Sequence, residues 1–166
     1  MCRNHTITVT VFASVLLLSS TPARAQSTWH VDAALATGAN DGTSWADAFQ
    51  GRLGLQAALG VAVPDDQVWV AAGVYAPHAS NQTVSFELES GVAIYGGFPN
   101  GGGDGTFGAR DPDPENNGTI LSGDLNNDDL PDFVNYAENS YHVTTGSGTD
   151  NTAVLDGFTI TAGNST

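Results

Sequence analysis

The chain has 166 residues, with 18 Asp and Glu against 4 Lys and Arg, for a formal net charge of −14 at neutral pH. Such a surface repels phosphate backbones and anionic lipid headgroups, so no nucleic-acid partner is expected, while cations are attracted. Charged residues make up only 13% of the chain and hydrophobic ones 40%, which separates it from acidic disordered segments and places it among folded domains.

The first 25 residues read as a secretory leader. Arg3 supplies the positive n-region, Ile7–Ser20 is an apolar run centred on Val15-Leu16-Leu17-Leu18, and Thr21-Pro22-Ala23-Arg24-Ala25 ends in the A-x-A cleavage pattern. The run is too short to persist as a bilayer anchor, so the mature chain, 26–166, is expected to have no membrane span. It is expected to be secreted, or exported to the periplasm or cell surface. Cys2, the sole cysteine, leaves with the leader, so no disulfide forms. Arg3 and Arg24 leave too, and Arg52 and Arg110 remain as the only strong bases.

Thr28–Asp32 alternates apolar and polar side chains, as an opening strand would. After the turn residues 37–42, Ser44-Trp45-Ala46-Asp47 has the form of a capping box with Ser44 as N-cap. Trp45, Ala48, Phe49 and Leu53 follow at helical spacing, and Leu55, Ala58, Leu59, Ala62 and Val63 continue the apolar face as far as Pro64. Gly51, Gly54 and Gly60 weaken this helix and divide it in two. Everything beyond reads as strand and turn. Gln67–Ala72 is apolar on both faces, as in a doubly covered strand. Val84, Phe86 and Leu88 alternate with Ser85, Glu87 and Glu89. Strands are also expected within 91–98, 118–125, 141–144 and 153–161.

Glycines punctuate these segments. Ile94-Tyr95-Gly96-Gly97-Phe98 and Leu121-Ser122-Gly123-Asp124-Leu125 share the order apolar, any, Gly, any, apolar, and Val154–Phe158 is a looser third copy. Short glycine-closed strands at such intervals suggest stacked coils, with an antiparallel sandwich as the alternative. The stretches TWHVDAALATGANDGTSWADAF, DDQVWVAAGVYAP, GVAIYGGF, TILSGDLNNDD, NSYHVTTGSG and VLDGFTITAGN together resemble the N-terminal part of bacterial exported right-handed parallel β-helix proteins. Those belong to the pectin-lyase-like superfold, and some are similar to chlamydial polymorphic outer-membrane proteins. The resemblance implies an all-β, right-handed parallel β-helix (a solenoid) with a short N-terminal amphipathic capping helix, incomplete at its C-terminal end.

Further coils of a parent protein are then expected partners, because a terminal coil with Phe158 and Ile160 uncovered lacks a polar cap. The function implied is an exported, non-catalytic module at the cell surface, adhesin-like or a carbohydrate-contacting scaffold. The alternative is the N-terminal fragment of a polysaccharide lyase or glycoside hydrolase whose active site lies in later coils. The superfold hosts both.

One segment carries metal chemistry. In Asp124-Leu125-Asn126-Asn127-Asp128-Asp129-Leu130-Pro131-Asp132, oxygen side chains fall at alternate positions, as in calcium-binding loops, which makes Asp124, Asn126, Asp128 and Asp132 the candidate Ca²⁺ ligands. Two positions depart from that pattern, Asp129 where Gly is usual and Asn135 where a bidentate carboxylate is usual. The plainer account is an Asp/Asn-rich turn. No catalytic residue is nominated. Asp124 and Asp156 are expected near strand-ending glycines on successive coils, and Arg110 beside Asp111 or Asp113. His30, His78 and His142 lack a second metal ligand nearby. Trp29, Trp45, Trp69 and Tyr75 are expected to seal the core end, and Gly101–Gly105 to form a loop without phosphate-binding features.

Overall fold

Val68 and Val70 are fully buried while Gln67 and Trp69 between them are half-buried, so this segment is an extended strand with an inner and an outer face. The computed structural model, which describes residues 24–164, repeats that arrangement throughout. Most of the expected leader, including Cys2, lies outside the described residues. In chain order the strands are β1 (Thr28–Asp32), β2 (Phe49–Gln50), β3 (Gln67–Ala71), β4 (Gly73–Tyr75), β5 (Phe86–Glu87), β6 (Ala93–Phe98), β7 (Thr119–Ser122), β8 (Thr144–Thr145), β9 (Val154–Asp156) and β10 (Thr159–Thr161). Two short helices, α1 (Gly54–Leu59) and α2 (Pro114–Asn117), accompany them.

The strands form three sheets, in the orders β2-β1-β3-β6-β9, β10-β7-β4 and β5-β8. Every ladder between these strands is parallel, which removes the antiparallel sandwich. From β3 the chain enters the second sheet as β4 and the third as β5; β6, β7 and β8 then repeat the order, and β9 and β10 begin it again. Parallel neighbours need long crossovers, and here the crossover is the visit to the other sheets. The fold is thus mostly strand, in parallel sheets. Among the described residues, no helix is long and apolar enough to cross a membrane.

The core lies between the sheets. Trp29, Val68, Ile94 and Leu155 occupy one register row of the first sheet, and Tyr75 and Leu121 one row of the second, continued at the edge by the exposed Ile160. Phe86, Val92 and Leu55 fill the space between them. Each large apolar side chain so enclosed contributes about 1.5–3 kcal/mol. Tyr75 is fully buried, donating its hydroxyl to the Ala71 carbonyl at 2.9 Å and accepting from the Ala33 N–H at 3.2 Å. Burial pushes its phenol pKa up.

The expected lid helix is shorter than its periodicity indicates. Ser44 does cap: its Oγ accepts from the Asp47 N–H at 3.2 Å and donates to Asp47 Oδ2 at 3.1 Å. The cap holds only a 3₁₀ turn over Trp45–Asp47, because Ala48 turns extended (ψ 151°) and Phe49 pairs with Val31 as β2. Burying Phe49 in that pairing outweighs helical continuation. The helix resumes only over six residues, with Leu55 and Ala58 buried. The segment 153–161 is likewise divided, by Gly157 at φ 81°, into β9 in the first sheet and β10 in the second.

The glycine-punctuated copies do not align as their sequences propose. Ile94 pairs with Val68 and Leu155, whereas Leu121 pairs with Tyr75 and Ile160 in a different sheet. The true counterpart of Ile94-Tyr95-Gly96 is Leu155-Asp156-Gly157. There the backbones come so close that a Cβ on Gly96 would collide with the Gly157 carbonyl.

Asp66 fastens the N-terminal entry to the stack. Its side chain is fully buried and accepts from the Ser27 N–H (2.9 Å), Trp29 Nε1 (3.1 Å), the Val63 N–H (3.2 Å) and Arg24 Nη1 (2.8 Å). Burial opposes its ionisation, but Arg24 and the three other donors outweigh it and hold the pKa down at about 2. A depressed carboxylate binds fewer protons folded than unfolded. Its stabilisation is therefore present above pH ~4 and is lost as pH falls toward 2. In the chain that retains Arg24, Asp66→Ala strands these donors, and we expect it to lower the unfolding free energy by about 3 kcal/mol in urea titrations at pH 7. The variant is also expected to flatten the acid limb of stability between pH 4 and 2.

Candidate functional site

Beyond β7 the chain leaves the second sheet at Gly123, whose N–H donates to Thr161 (3.0 Å) and whose carbonyl accepts from Ser140 N–H (2.8 Å). Residues 124–139 form the loop between those two anchors. Asp124, 8% exposed, folds it back: Oδ1 accepts from the Asp128 N–H and Oδ2 from the Asp129 N–H, both at 3.1 Å. Arg52, immediately before α1, reaches the loop from below. It donates from Nη2 to the Asp124 carbonyl (2.6 Å) and from Nη1 to the Leu125 carbonyl (3.1 Å). The far side is held by Asn139, whose Nδ2 donates to Asp129 Oδ2 (2.8 Å), and by Gln82, whose Nε2 donates to the Ala137 and Asn139 carbonyls.

These anchors bring four acids together. One carboxylate oxygen from each of Asp124, Asp128, Asp129 and Glu138 lies within 4.8 Å of the others. At an effective dielectric of 20, unit charges so spaced repel by roughly 3 kcal/mol per pair, less where solvent reaches them, as at Asp128. Of the four residues expected as metal ligands, Asp124 and Asp128 are in this group of acids, Asp132 is exposed and outside it, and Asn126 is exposed. Leu130 and Val134 form an antiparallel bridge, which makes Pro131–Phe133 a tight turn with Asp132 at φ 63° on its tip. Sequence spacing passed over Asp129, which stood only as a misfit at a glycine position, and Glu138 and Arg52, which only the fold brings near.

The remaining charged and aromatic candidates have other roles. Asp124 follows β7 of the second sheet and Asp156 ends β9 of the first, so the two do not stack. Arg110 pairs not with Asp111 or Asp113 but with Asp156, Nη1 to Oδ2 at 3.2 Å. It also donates from Nε to the Gly96 carbonyl and lies over the rings of Tyr95 and Phe107 at 5.2 and 5.3 Å. Trp45 and Trp69 pack with Phe98 and Phe107 outside the first sheet, rather than sealing the core end as Trp29 does. His30 sits edge-on to Trp45 and Trp69, and burial pushes its pKa down. His78 accepts the N–H groups of Ser80 and Asn81 on Nδ1. The glycine loop packs closely: Gly101 N–H donates to the buried Asp32 Oδ2 at 2.8 Å, and Gly102 lies on the Trp45 ring.

Compared with protein-family models, with known proteins and with solved structures, the chain matches none.

Arg52 is the cationic support of the acidic loop. Arg52→Ala is expected to cost about 2 kcal/mol of stability and to expose the 124–138 segment to limited proteolysis. Arg52→Lys, which keeps the charge but lacks the fork, should protect it only in part. Equal cleavage rates in all three proteins would exclude this role.

Proposed function

We propose that the chain is the N-terminal cap and first coils of an exported right-handed parallel β-helix, acting as a non-catalytic scaffold or contact module at the cell surface. The observation that carries this reading is the repeated order of visits to three parallel sheets. Each passage through β3-β4-β5 or β6-β7-β8 corresponds to one coil stacked on the last. A stack of this kind presents long regular faces suited to carbohydrate or to cell-surface components. The acids converge in a loop outside the strands, where Asp124 is held by two backbone N–H groups, instead of lining a strand face on consecutive coils as a glycan-cleaving centre of such a fold would require. The outward row of the first sheet is His30, Trp69, Tyr95 and Asp156, aromatic in its middle and carrying a single carboxylate.

Two measurements test this. N-terminal sequencing of the protein recovered from the medium or envelope of the producing cell is expected to begin at Gln26; an intact leader on folded intracellular protein would refute export. Incubation with pectins and other acidic glycans is expected to release neither unsaturated nor reducing ends. Turnover would instead favour the lyase or hydrolase reading.

A further inference from the structure

We infer that the acidic loop beyond β7 is a Ca²⁺ site whose ligands are Asp124, Asp128, Asp129 and Glu138, a set different from the one that loop spacing proposes. The inference stands whether the module is a scaffold or part of an enzyme. Proximity of carboxylates alone would not carry it, since acids cluster on many surfaces. The second observation is Asn139. Its side chain is completely buried, its Nδ2 is bonded into the cluster at Asp129, and its Oδ1 has no donor among the described residues. Two cluster oxygens, Asp129 Oδ1 and Glu138 Oε1, are also shielded from solvent and without a donor. Native interiors rarely leave buried acceptors unpaired. Here three lie on adjoining side chains, and all are acceptors, so a hydrogen-bond donor would satisfy at most one or two of them. A cation bound by Asp129 and Glu138 satisfies both carboxylate oxygens together.

Size selects the ion. Ca²⁺ binds oxygen at 2.3–2.6 Å, so opposed ligands of one ion stand up to about 5 Å apart. One carboxylate oxygen from each of the four residues lies within 4.8 Å of the others, inside the span that one such ion can bridge. Mg²⁺, at 2.0–2.1 Å and strictly octahedral, keeps several of its waters and is less suited to an all-carboxylate group on an irregular loop. Four hard oxygen ligands with no imidazole or thiolate among them disfavour zinc and the softer metals. Charge agrees, because Arg52 spends its donors on backbone carbonyls and pairs with no carboxylate. Asp124 serves twice, shaping the loop through two N–H groups and offering its remaining lone pairs inward.

The test uses purified protein stripped with chelator, titrated with CaCl₂ or MgCl₂ by calorimetry and by thermal melting. Saturating Ca²⁺ is expected to raise the melting temperature by at least about 3 °C, with Mg²⁺ much weaker. Glu138→Gln and the exposed Asp128→Asn are expected to weaken Ca²⁺ binding by at least about tenfold. Asp132→Asn should leave it within about threefold, since it lies outside the cluster. In chelator, Glu138→Gln should melt no lower than the parent, because it relieves repulsion. No heat and no melting shift at millimolar Ca²⁺ would overturn the site. An equal response to Mg²⁺ would overturn the ion, and loss in Asp132→Asn with Glu138→Gln unaffected would overturn the ligand set.

Discussion

Parallel pairing between strands far apart in sequence is the constraint on which the rest depends. A strand laid beside a parallel neighbour cannot be reached by a tight turn, so the chain must travel around the molecule before it returns. Here that journey is used, because the chain visits the three sheets in the same order twice, as β3-β4-β5 and β6-β7-β8, and begins the order again with β9 and β10. The interior is then filled by rows of like side chains, Val68 on Ile94 on Leu155, instead of by interdigitated opposing layers. The corners must also be thin, and Gly96 against Gly157 is one such place, where any side chain would push successive returns apart.

Loops in this molecule are held by buried charge on backbone groups. Asp66 collects N–H donors from the entry segment, Asp32 takes the Gly101 N–H, Asp124 takes two N–H groups of its own loop, and Arg52 spans two carbonyls from across the fold. A carboxylate that accepts several N–H bonds strengthens each of them, and a guanidinium fork fixes direction as well as distance. These contacts do for the turns what hydrogen-bonded ladders do for the strands. They also explain how a chain with so few basic residues organises its acids: most of the structurally engaged carboxylates face amides, and few face cations.

Strand positions were legible in the sequence wherever one side of the strand is buried. Phe86 against Glu87 announces its faces by alternation, whereas Gln67–Ala72 reads as covered on both faces although Gln67 and Trp69 are only half-buried. Ser44 announced its cap. Helix length was not legible, since Phe49 fits a helical face and a β pairing equally well, and only the neighbouring β1 decides between them. Coil register failed for a related reason. The pattern apolar, any, Gly, any, apolar marks corners in two different sheets, so similarity of sequence did not mean adjacency in space. The acidic site was half legible. Asp124 and Asp128 share a loop and could be read from spacing, whereas Glu138, Asn139 and Arg52 join them through tertiary structure alone.

The clasp at Asp66 bears on the order of events in maturation. If the leader is cut between Ala25 and Gln26, the bond to be cut lies between two residues, Arg24 and Ser27, that both hold the same buried carboxylate. Once that clasp has closed, a peptidase would have to prise it open to reach its substrate. Folds assembled from distant pairings form slowly, because their loops must close before contacts reward them. Slowness of that kind would leave such a segment accessible while the chain emerges, before the clasp closes.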